Sequence, residues 1–360
     1  MATAGARRSA PASAAELAAE LAAACGTVRV LGAGTKLGWA PDASPELELS
    51  TAGLDRIVEH NAGDLTAVLE AGVPLARAQE VFREAGQMLA LDPPDAGGAT
   101  VGGIVAANDS GPLRARYGGP RDLVVGMRVA LADGTVAKSG GKVIKNVAGY
   151  DLAKLFTGSY GTLGAILEVS VRLHPLPPAT ATAVGHTHSP HLLAGGAATL
   201  SHARLEQLGL DARWAAGAGM VLGRFGGVAA RAQAESAEQL LRDAGLEAEL
   251  VADDEPLWQA QREGQRSPEG LVVRVSGLQT DLERLAGVAE RHGATLVGRA
   301  GLGLYWLRLD DGDASALLSD LAGFVRLALD RPADMALEPP ASNALLARLK
   351  ERFDPAMKLV

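Results

Sequence analysis

The stretch Lys142–Ile166, which reads KVIKNVAGYDLAKLFTGSYGTLGAI, concentrates features that are rare in the rest of the chain. The chain has seven lysines, and four of them lie between positions 138 and 154. Arginine supplies most of the positive charge elsewhere, so this clustering indicates a local need for lysine. Gly158, Gly161 and Gly164 then recur at every third position before an apolar run that begins at Ala165. This spacing predicts a tight turn into a strand, where the backbone can approach a flat or anionic group closely.

The composition bounds the class of protein. A length of 360 residues favours two domains, and an apolar fraction of 48% is enough for a core in each. The formal net charge of −8 argues against a nucleic-acid-binding protein, which would present a basic face. The single cysteine, Cys25, excludes a disulfide within the chain and a cysteine-ligated cluster housed wholly inside it. No apolar run approaches the roughly 18 residues of a membrane span, so a cytoplasmic protein is expected.

The chain is expected to have two main domains. Residues 1–13 are predicted to be disordered, and the first domain is predicted to cover residues 14–178. It ends at His174–Pro178, where prolines terminate a strand and stiffen the exit. A second domain is predicted for residues 179–340, and a helix within 341–360 is predicted to return to the first domain.

Local patterns predict a mixture of helices and strands in both domains. Val124–Ala130 and Thr135–Ala137 flank an Asp-Gly turn and are typical of a β-hairpin. In the second domain, residues 220–251 and 271–309 each show a strand, a helix and a strand. This repeated pattern predicts a ferredoxin-like α+β layer.

Two further glycine-rich elements precede the opening stretch. The loop Gly32–Gly38, GAGTKLG, follows a short apolar strand and is either a nest of N–H groups for a pyrophosphate or a simple turn. It is not a P-loop, because it does not end in GK[ST], and no acidic residue completes a dinucleotide fingerprint. The second element, Ala99–Asn108, reads ATVGGIVAAN and is either a small-residue wall for a planar ring or a tightly packed helix.

The order and spacing of these three elements resemble the FAD-binding domain of the vanillyl-alcohol oxidase and p-cresol methylhydroxylase superfamily over about residues 14–178. The resemblance implies an α+β fold in which a two-subdomain PCMH-type FAD-binding domain is followed by a smaller ferredoxin-like cap domain. It also implies that the first loop holds the pyrophosphate, the second element lines the flavin and diphosphate, and the third lies near the isoalloxazine ring. The FAD-binding residues that it implies are Ala33, Gly34, Thr35, Lys36, Leu37, Gly38, Ala99, Thr100, Val101, Gly102, Gly103, Asn108, Gly161, Thr162, Leu163, Gly164 and Ile166.

A narrower resemblance concerns Lys145–Asp151, Ala85–Leu89 and Phe353–Pro355, which are similar to the FAD-binding subunit of bacterial glycolate oxidases. It implies a complex that oxidises glycolate or D-lactate, with a catalytic FAD subunit and an iron–sulfur subunit as partners. Those partners would pass electrons to the respiratory chain and attach the complex peripherally to the inner membrane. Covalent flavin in the superfamily depends on a histidine or cysteine that the matching elements lack, so non-covalent FAD is expected. Relatives usually continue past the position of Val360, so either the tail is dispensable or the C-terminus is weakly anchored.

One departure from the superfamily bears on catalysis. Its 2-hydroxy-acid dehydrogenases carry a His-x-Gly-Asp-Gly-Asn-x-His metal motif, whereas the matching place here, Arg299–Trp306, reads RAGLGLYW and has lost every ligand. We therefore expect no metal ion. No His–Arg constellation is evident that supplies both a base for the hydroxyl proton and a cation for the carboxylate. The remaining catalytic candidates are Lys145, Asn146 and Tyr150, and the alternative for them is a solvated basic turn.

The histidines His186, His188 and His191 have a spacing that can ligate zinc. Ser189-Pro190 between them instead predicts a helix N-cap followed by proline at the first helical position.

Two other functions compete with the FAD-subunit interpretation. The first is a self-sufficient FAD-dependent oxidoreductase of a small hydroxy acid or alcohol, and the degraded metal motif argues against it. The second is a structural assembly subunit that does not need flavin, and the intact glycine-rich elements argue against it.

Overall fold

The computed structural model describes residues 5–40, 43–94, 97–141, 151–332, 335 and 344–360. The strands are β1 (Arg7–Ser9), β2 (Val28–Leu31), β3 (Leu47–Ser50), β4 (Ile57–Asn61), β5 (Thr66–Glu70), β6 (Gln87–Met88), β7 (Val124–Ala130), β8 (Val136–Gly140), β9 (Ala165–Arg172), β10 (His174–Pro175), β11 (Thr180–Thr187), β12 (Gln207–Ala215), β13 (Ala218–Gly226), β14 (Glu247–Val251), β15 (Leu271–Ser276), β16 (Thr295–Arg299), β17 (Leu304–Leu309) and β18 (Val325–Ala328). The helices are α1 (Ala14–Ala23), α2 (Leu75–Glu84), α3 (Val101–Ala107), α4 (Arg114–Tyr117), α5 (Pro120–Leu123), α6 (Ala153–Phe156), α7 (Pro190–His202), α8 (Ala230–Asp243), α9 (Glu255–Glu263), α10 (Leu282–His292), α11 (Ala314–Asp320) and α12 (Ala344–Phe353).

The described residues form two compact units. The first unit takes in residues 1–110, 118–176 and 339–360, and the second takes in residues 111–117 and 177–338. The segment 111–117, which the sequence places in the first domain, therefore groups with the second unit through α4, which packs on β12. None of the helices in the described ranges is long and apolar enough to cross a bilayer.

The first unit contains a small parallel sheet and a larger antiparallel sheet. The parallel sheet has the order β1-β3-β2, and the antiparallel sheet has the order β4-β5-β9-β7-β8. Helix α1 begins where Ser13 accepts a hydrogen bond from the backbone N of Glu16 at 3.2 Å. Its buried face, with Leu17 and Leu21 one turn apart, packs into a core that includes Leu49 of β3. The predicted hairpin is confirmed, because β7 and β8 pair across the Asp-Gly turn.

The prediction of disorder over residues 1–13 is wrong for β1. Arg7–Ser9 pairs in parallel with β3, where Arg8 lies opposite Glu48. The Glu48 side chain is 1% exposed, and a carboxylate buried to that extent requires a partner. Arg8 Nε supplies it at 2.5 Å from Glu48 Oε2, although the two residues are 40 positions apart. The composition of the N-terminus does not reveal so distant a partner.

The last residues of the chain are firmly held in the first unit. Val28 N donates to Lys358 O at 2.7 Å, and Val360 N donates to Val28 O at 3.0 Å. The Asp354 carboxylate is fully buried and accepts the backbone N–H of Leu359 at 2.7 Å. These bonds add a parallel bridge to the free side of β2 and thereby anchor the C-terminus.

The second unit is built on one antiparallel sheet of eight strands, with the order β14-β11-β13-β12-β16-β17-β15-β18. Each half of the sheet has the connectivity strand, helix, strand, strand, helix, strand, and the halves join where β12 pairs with β16. This arrangement confirms the ferredoxin-like α+β prediction. The sequence patterns missed β16, because it is only five residues long and ends in a charged residue, Arg299.

The two faces of this sheet differ in character. One face packs on α7, α8, α10 and α11 through large apolar side chains such as Trp214, Phe225 and Tyr305. Because side chains alternate along a strand, the neighbouring positions point to the opposite face. We call this opposite face the arginine face; its arginines are Arg213, Arg224, Arg274, Arg299 and Arg308. Helix α9 covers part of it, where Trp258 Nε1 donates to Thr182 Oγ1 at 2.9 Å.

Candidate functional site

A cleft in the first unit lies between the loop after β2 and helix α3. The space between its walls, counted together with the solvent at its mouth, is about 570 Å³. Eight of the predicted cofactor residues line it, namely Ala33, Gly34, Thr35, Lys36, Leu37, Ala99, Thr100 and Gly103. The other nine do not, namely Gly38, Val101, Gly102, Asn108, Gly161, Thr162, Leu163, Gly164 and Ile166. The structure therefore brings the first two glycine-rich elements together around one cavity.

The loop offers backbone donors to this cleft. Gly34 has a φ of +77°, which turns the chain sharply before a 3₁₀ turn at Leu37–Trp39. Within the described part of the chain, the N–H groups of Ala33 and Gly34 have no hydrogen-bond partner. Successive N–H groups in such a turn form a concavity that suits an anion. A hydrogen bond from each to a charged oxygen is worth about 1.5–3 kcal/mol.

Lys36 holds the loop in place. Its Nζ lies 3.2 Å from Asp109 Oδ2, and the two side chains are 7% and 3% exposed. The same ammonium lies 5.8 Å from the centre of the Trp39 ring. A buried pair of this kind is costly to break, because the remaining charge has no solvent to stabilise it. The pair therefore fixes the loop to the segment that follows α3, a role that the sequence did not indicate for Lys36.

The paired glycines of α3 serve two different surfaces. A Cβ on Gly102 would lie 2.6 Å from Ala71 Cβ and 2.8 Å from Ala71 O, so this side of the helix is packed against the chain after β5. A Cβ on Gly103 would meet only the hydroxyl of Thr100, at 3.1 Å, and Gly103 lines the cleft. The loop after β2 also approaches α3 closely at Gly32, since a Cβ added there would lie 2.1 Å from Thr100 Oγ1. The side of α3 that carries Gly102 is therefore tightly packed, and the side that carries Gly103 is a wall of small residues facing the cleft.

Asn108 ends α3 in the left-handed conformation, with φ +50°. Its side-chain Oδ1 is buried and has no hydrogen-bond partner among the described residues. A buried acceptor of this kind is normally paired. Asn108 therefore carries an available acceptor at the end of the helix that walls the cleft.

The third glycine-rich element reaches the cleft through a residue that the sequence did not single out. Tyr160 lines the cleft, has a φ of +54° and donates its N–H to Ala106 O at 2.9 Å. Gly164 is instead packed, because a Cβ there would lie 3.0 Å from Ala130 O. Ile166 is buried in β9, where it pairs with Val129. Other lining residues that the sequence missed include Arg29, Ala106, Ala107 and Val360.

The stretch with the clustered lysines is only partly described. Residues 142–150, which include Lys145, Asn146 and Tyr150, lie outside the described residues. Directly after them, Lys154 Nζ lies 3.3 Å from Asp151 Oδ2. The catalytic assignment of Lys145, Asn146 and Tyr150 stays a prediction.

In the second unit, the place of the lost metal motif holds a buried ion pair. Arg299 Nη1 lies 3.2 Å from Asp211 Oδ2, and both side chains are 0% exposed. The guanidinium also stacks 4.7 Å from the centre of the Trp306 ring, and Gln261 Nε2 donates to Asp211 Oδ2 at 3.0 Å. Burial raises the pKa of Asp211 to about 6, although Arg299 and Gln261 favour the charged form. Among the described residues, no three His, Cys, Asp or Glu side chains are grouped as a metal site.

The three histidines with zinc-like spacing have separate partners. His186 Nε2 lies 3.1 Å from Glu249 Oε1, His188 Nδ1 lies 3.0 Å from Gly217 O, and His191 Nδ1 lies 3.2 Å from Glu283 Oε2. The predicted N-cap is confirmed, because Ser189 Oγ accepts the N–H of Leu192 at 3.3 Å and proline opens α7.

Comparison with known proteins identifies the segment that contains the first loop and α3. Residues 7–140 match the family described as FAD binding domain. The match covers strands β1 to β8 and therefore includes both the loop after β2 and helix α3. Glycolate oxidase subunit GlcE of Escherichia coli is 42% identical over 125 residues, which are 34% of this chain and 36% of that protein. D-2-hydroxyglutarate dehydrogenase of Xanthomonas citri pv. viticola is 36% identical over 141 residues, 39% of this chain and 30% of that protein. Glycolate oxidase subunit GlcD of Bacillus subtilis is 39% identical over 124 residues, 34% of this chain and 26% of that protein.

These matches span about a third or less of the length of the curated relatives. The wider likeness is structural. A solved structure of alkyldihydroxyacetonephosphate synthase superposes on 97% of this chain and 76% of its own chain, with a TM-score of 0.74 and 14% sequence identity. At that identity the likeness establishes the fold, and it extends beyond the FAD-binding domain to the second unit.

Proposed function

We propose that the chain is the FAD-binding subunit of a glycolate oxidase-type complex that oxidises a 2-hydroxy acid such as glycolate or D-lactate. The proposal rests on two observations: residues 7–140 match the FAD binding domain family, and 125 residues of the chain are 42% identical to a glycolate oxidase subunit. Other similar proteins are named as dehydrogenases of D-lactate and D-2-hydroxyglutarate, which are also 2-hydroxy acids. The second unit, within residues 179–340, would be the cap domain.

The residues of the cleft fit FAD. The N–H groups of Ala33 and Gly34 suit the pyrophosphate oxygens, and the Lys36–Asp109 pair keeps the loop that carries them in place. Gly103 leaves a flat wall against which an extended planar ligand can lie. When bound, the flavin supplies the ability to accept two electrons from a substrate and to release them one at a time. This chain would bind and orient the cofactor and exclude water from the part that it covers.

The proposed FAD is non-covalent. In the superfamily that the chain resembles, covalent attachment usually uses a histidine or a cysteine, and the residues that line the described cleft include neither. The single cysteine, Cys25, is exposed, and its Sγ lies 3.7 Å from Ala23 O. Acid precipitation of the protein should therefore release all of the flavin into the supernatant.

The proposed partners are a catalytic FAD subunit and an iron–sulfur subunit, with electrons passing from flavin to iron–sulfur centre. A single cysteine in the chain leaves cluster ligation to another protein. The proposed location is cytoplasmic, with peripheral attachment to the inner membrane through these partners. The names of two similar proteins, glycolate oxidase subunits GlcE and GlcD, support a multi-subunit assembly.

The test is an anaerobic absorbance spectrum of the purified full-length chain, before and after addition of glycolate or D-lactate. We expect flavin bands that persist with either acid and an iron–sulfur protein that co-purifies from the native host. Bleaching of the bands in the isolated chain would instead indicate a self-sufficient oxidoreductase. A chain that folds without flavin, and takes up none when FAD is added, would overturn the proposal in favour of a structural subunit.

Two glycine variants separate loss of the cleft from loss of the fold. Gly103→Val places a branched side chain toward the cleft, so we expect it to abolish flavin binding while the chain stays folded. Gly195→Val is the matched control, because it adds the same side chain at a position of α7 that does not line the cleft and where a Cβ meets nothing within 4 Å. Equal flavin content in both variants would contradict the assignment of this cleft to FAD.

A further inference from the structure

A second pocket lies at one end of the arginine face, and all of its residues belong to the second unit. The space between its walls, counted together with the solvent at its mouth, is about 800 Å³. Its polar lining is made by His186, His188, Arg213 and Glu247, and the small side chains of Ala215 and Ala218 leave room beside Arg213. No His–Arg constellation is evident from the order of residues along the chain, yet the fold assembles one here.

Strand register brings these side chains together. His186 of β11 lies opposite Glu247 of β14 on one side and opposite Met220 of β13 on the other. Met220 in turn lies opposite Arg213 of β12. Directly opposed residues in an antiparallel sheet have Cβ atoms about 4.5–5.5 Å apart and project from the same face. Across the four strands β14, β11, β13 and β12, one row therefore contains Glu247, His186, Met220 and Arg213 in that order.

Arg213 is a half-buried cation with most of its donors unused. Its Nη1 donates to Ala260 O at 3.2 Å, and among the described residues this is its one hydrogen-bond partner. Burial lowers the pKa of the Arg213 guanidinium, and repulsion from Arg308 lowers it further. A charged guanidinium in such surroundings gains stability from an anion that occupies its remaining N–H groups.

Two histidines line the same pocket as Arg213. His188 Nδ1 faces the carbonyl oxygen of Gly217, which can only accept, so Nδ1 carries a proton. His186 contacts the carboxylate of Glu249, which is 63% exposed. Glu247 is also exposed, and neither carboxylate forms an ion pair with Arg213. These acidic groups lie in solvent, which screens them, whereas Arg213 lies inside.

We infer that this pocket binds a small molecule through a carboxylate or phosphate group, held by the guanidinium fork of Arg213 with His188 and His186 beside it. Arg213 provides the fixed charge and the paired N–H geometry that matches two oxygens of such a group. The site stands independently of the proposed flavin function, because no residue of the first unit contributes to it.

The experiment uses the full chain with ¹³C-labelled histidine, which gives seven ring signals, assigned through His186→Gln and His188→Gln. Inorganic phosphate and malonate are titrated separately at pH 6.5, so that the two oxyanion classes are distinguished. We expect saturable shifts of the His186 and His188 signals with at least one of the two probes.

Two variants decide whether Arg213 is responsible. Arg213→Met should raise the dissociation constant at least tenfold, and Arg213→Lys, which keeps the charge without the fork, should weaken binding while preserving the fold. The matched control is Arg274→Met, which lies on the same face and in the same row. Arg213 lies opposite Val297, Val297 lies opposite Trp306, and Trp306 lies opposite Arg274. No saturable shift with either probe, or equal weakening in the Arg274 variant, would overturn the inference.

Discussion

The cleft of the first unit and the arginine face of the second are built from different parts of the chain. The cleft is walled by backbone and small residues such as Gly34 and Gly103, and its Lys36–Asp109 pair is buried in the wall. The arginine face relies on long charged side chains, with Arg299 fully buried and Arg213 half-buried. The two surfaces should therefore be sensitive to different kinds of substitution. An added Cβ should damage the first, and a lost charge should damage the second.

The largest expected effect comes from removing one charge on the arginine face. Arg299→Met leaves Asp211 buried without its ion-pair partner, which should lower the free energy of unfolding of the second unit by about 3–5 kcal/mol. Denaturant unfolding followed by tryptophan fluorescence measures it, because Trp214, Trp258 and Trp306 all lie in that unit.

Two controls sharpen this test. Adding Asp211→Leu to the first change replaces the whole pair by apolar groups and should recover most of the lost stability. Arg274→Met removes a half-buried arginine from the same face and should cost less than about 1 kcal/mol. A cost below about 1 kcal/mol for Arg299→Met would show that charge is not what this face depends on.

A smaller effect is expected when a single methyl group is added to the packed side of α3, the helix whose other side walls the cleft. Gly102→Ala forces a Cβ within 2.6 Å of Ala71 Cβ and 2.8 Å of Ala71 O, and the backbone cannot rotate away. Overpacking of this kind should cost about 1–3 kcal/mol and displace α3 from the cleft. Thermal unfolding and flavin content measure the two consequences. If Gly38→Ala, which meets no atom, lowered stability equally, close approach at Gly102 would not be the cause.

The smallest effect concerns the pH dependence of the buried pair. The folded-state pKa of Asp211 is raised to about 6, so its contribution to stability is full below the unfolded-state pKa and is lost as the pH rises through 6. Relative to Asp211→Asn, which binds no proton, the natural protein should gain on the order of 1 kcal/mol between pH 7.5 and pH 5. Denaturant unfolding at both pH values gives this difference.

Asp310 provides a control of opposite sign. Its pKa is lowered mainly by hydrogen bonding from Arg308, so its contribution is present above the unfolded-state pKa and is lost as the pH falls. The stability difference between the natural protein and Asp310→Asn should therefore shrink in acid. If the difference for Asp211→Asn did not change between pH 7.5 and pH 5, the raised pKa of Asp211 would be contradicted.

Features that depend on neighbours in sequence could be predicted. The loop 32–38 contains glycines that a sharp turn requires, Ser189-Pro190 carries the chemistry of a helix N-terminus, and Asp133-Gly134 closes a hairpin. The strand and helix patterns of the second unit likewise indicated its ferredoxin-like class. In each case the physical cause lies within a few residues, so the sequence exposes it.

Features that depend on distant partners could not be predicted. Arg299 and Asp211 are 88 positions apart, and only the pairing of β12 with β16 brings them together. His186 and Arg213 lie in one row, on either side of Met220, because of the register of three strands. Tyr160 lines the cleft and has a left-handed backbone conformation. This conformation is uncommon for residues other than glycine, so the sequence does not predict it. Lys36 was predicted to contact FAD, which stays a prediction, and its ion pair with Asp109 was not predicted.

The C-terminal bridge to β2 also sets an order for assembly during synthesis. Residues 177–338, almost all of the second unit, are made as one continuous stretch after β2 has left the ribosome and before the bridge can form. Domains usually fold in the order of their synthesis. Here, however, Lys358 and Val360, which hydrogen-bond to Val28, are made only after the second unit has been synthesised. Val360 also lines the cleft, so the cleft is incomplete until then. We therefore expect the nascent chain to acquire flavin only after residues 358–360 have been made and have bridged β2.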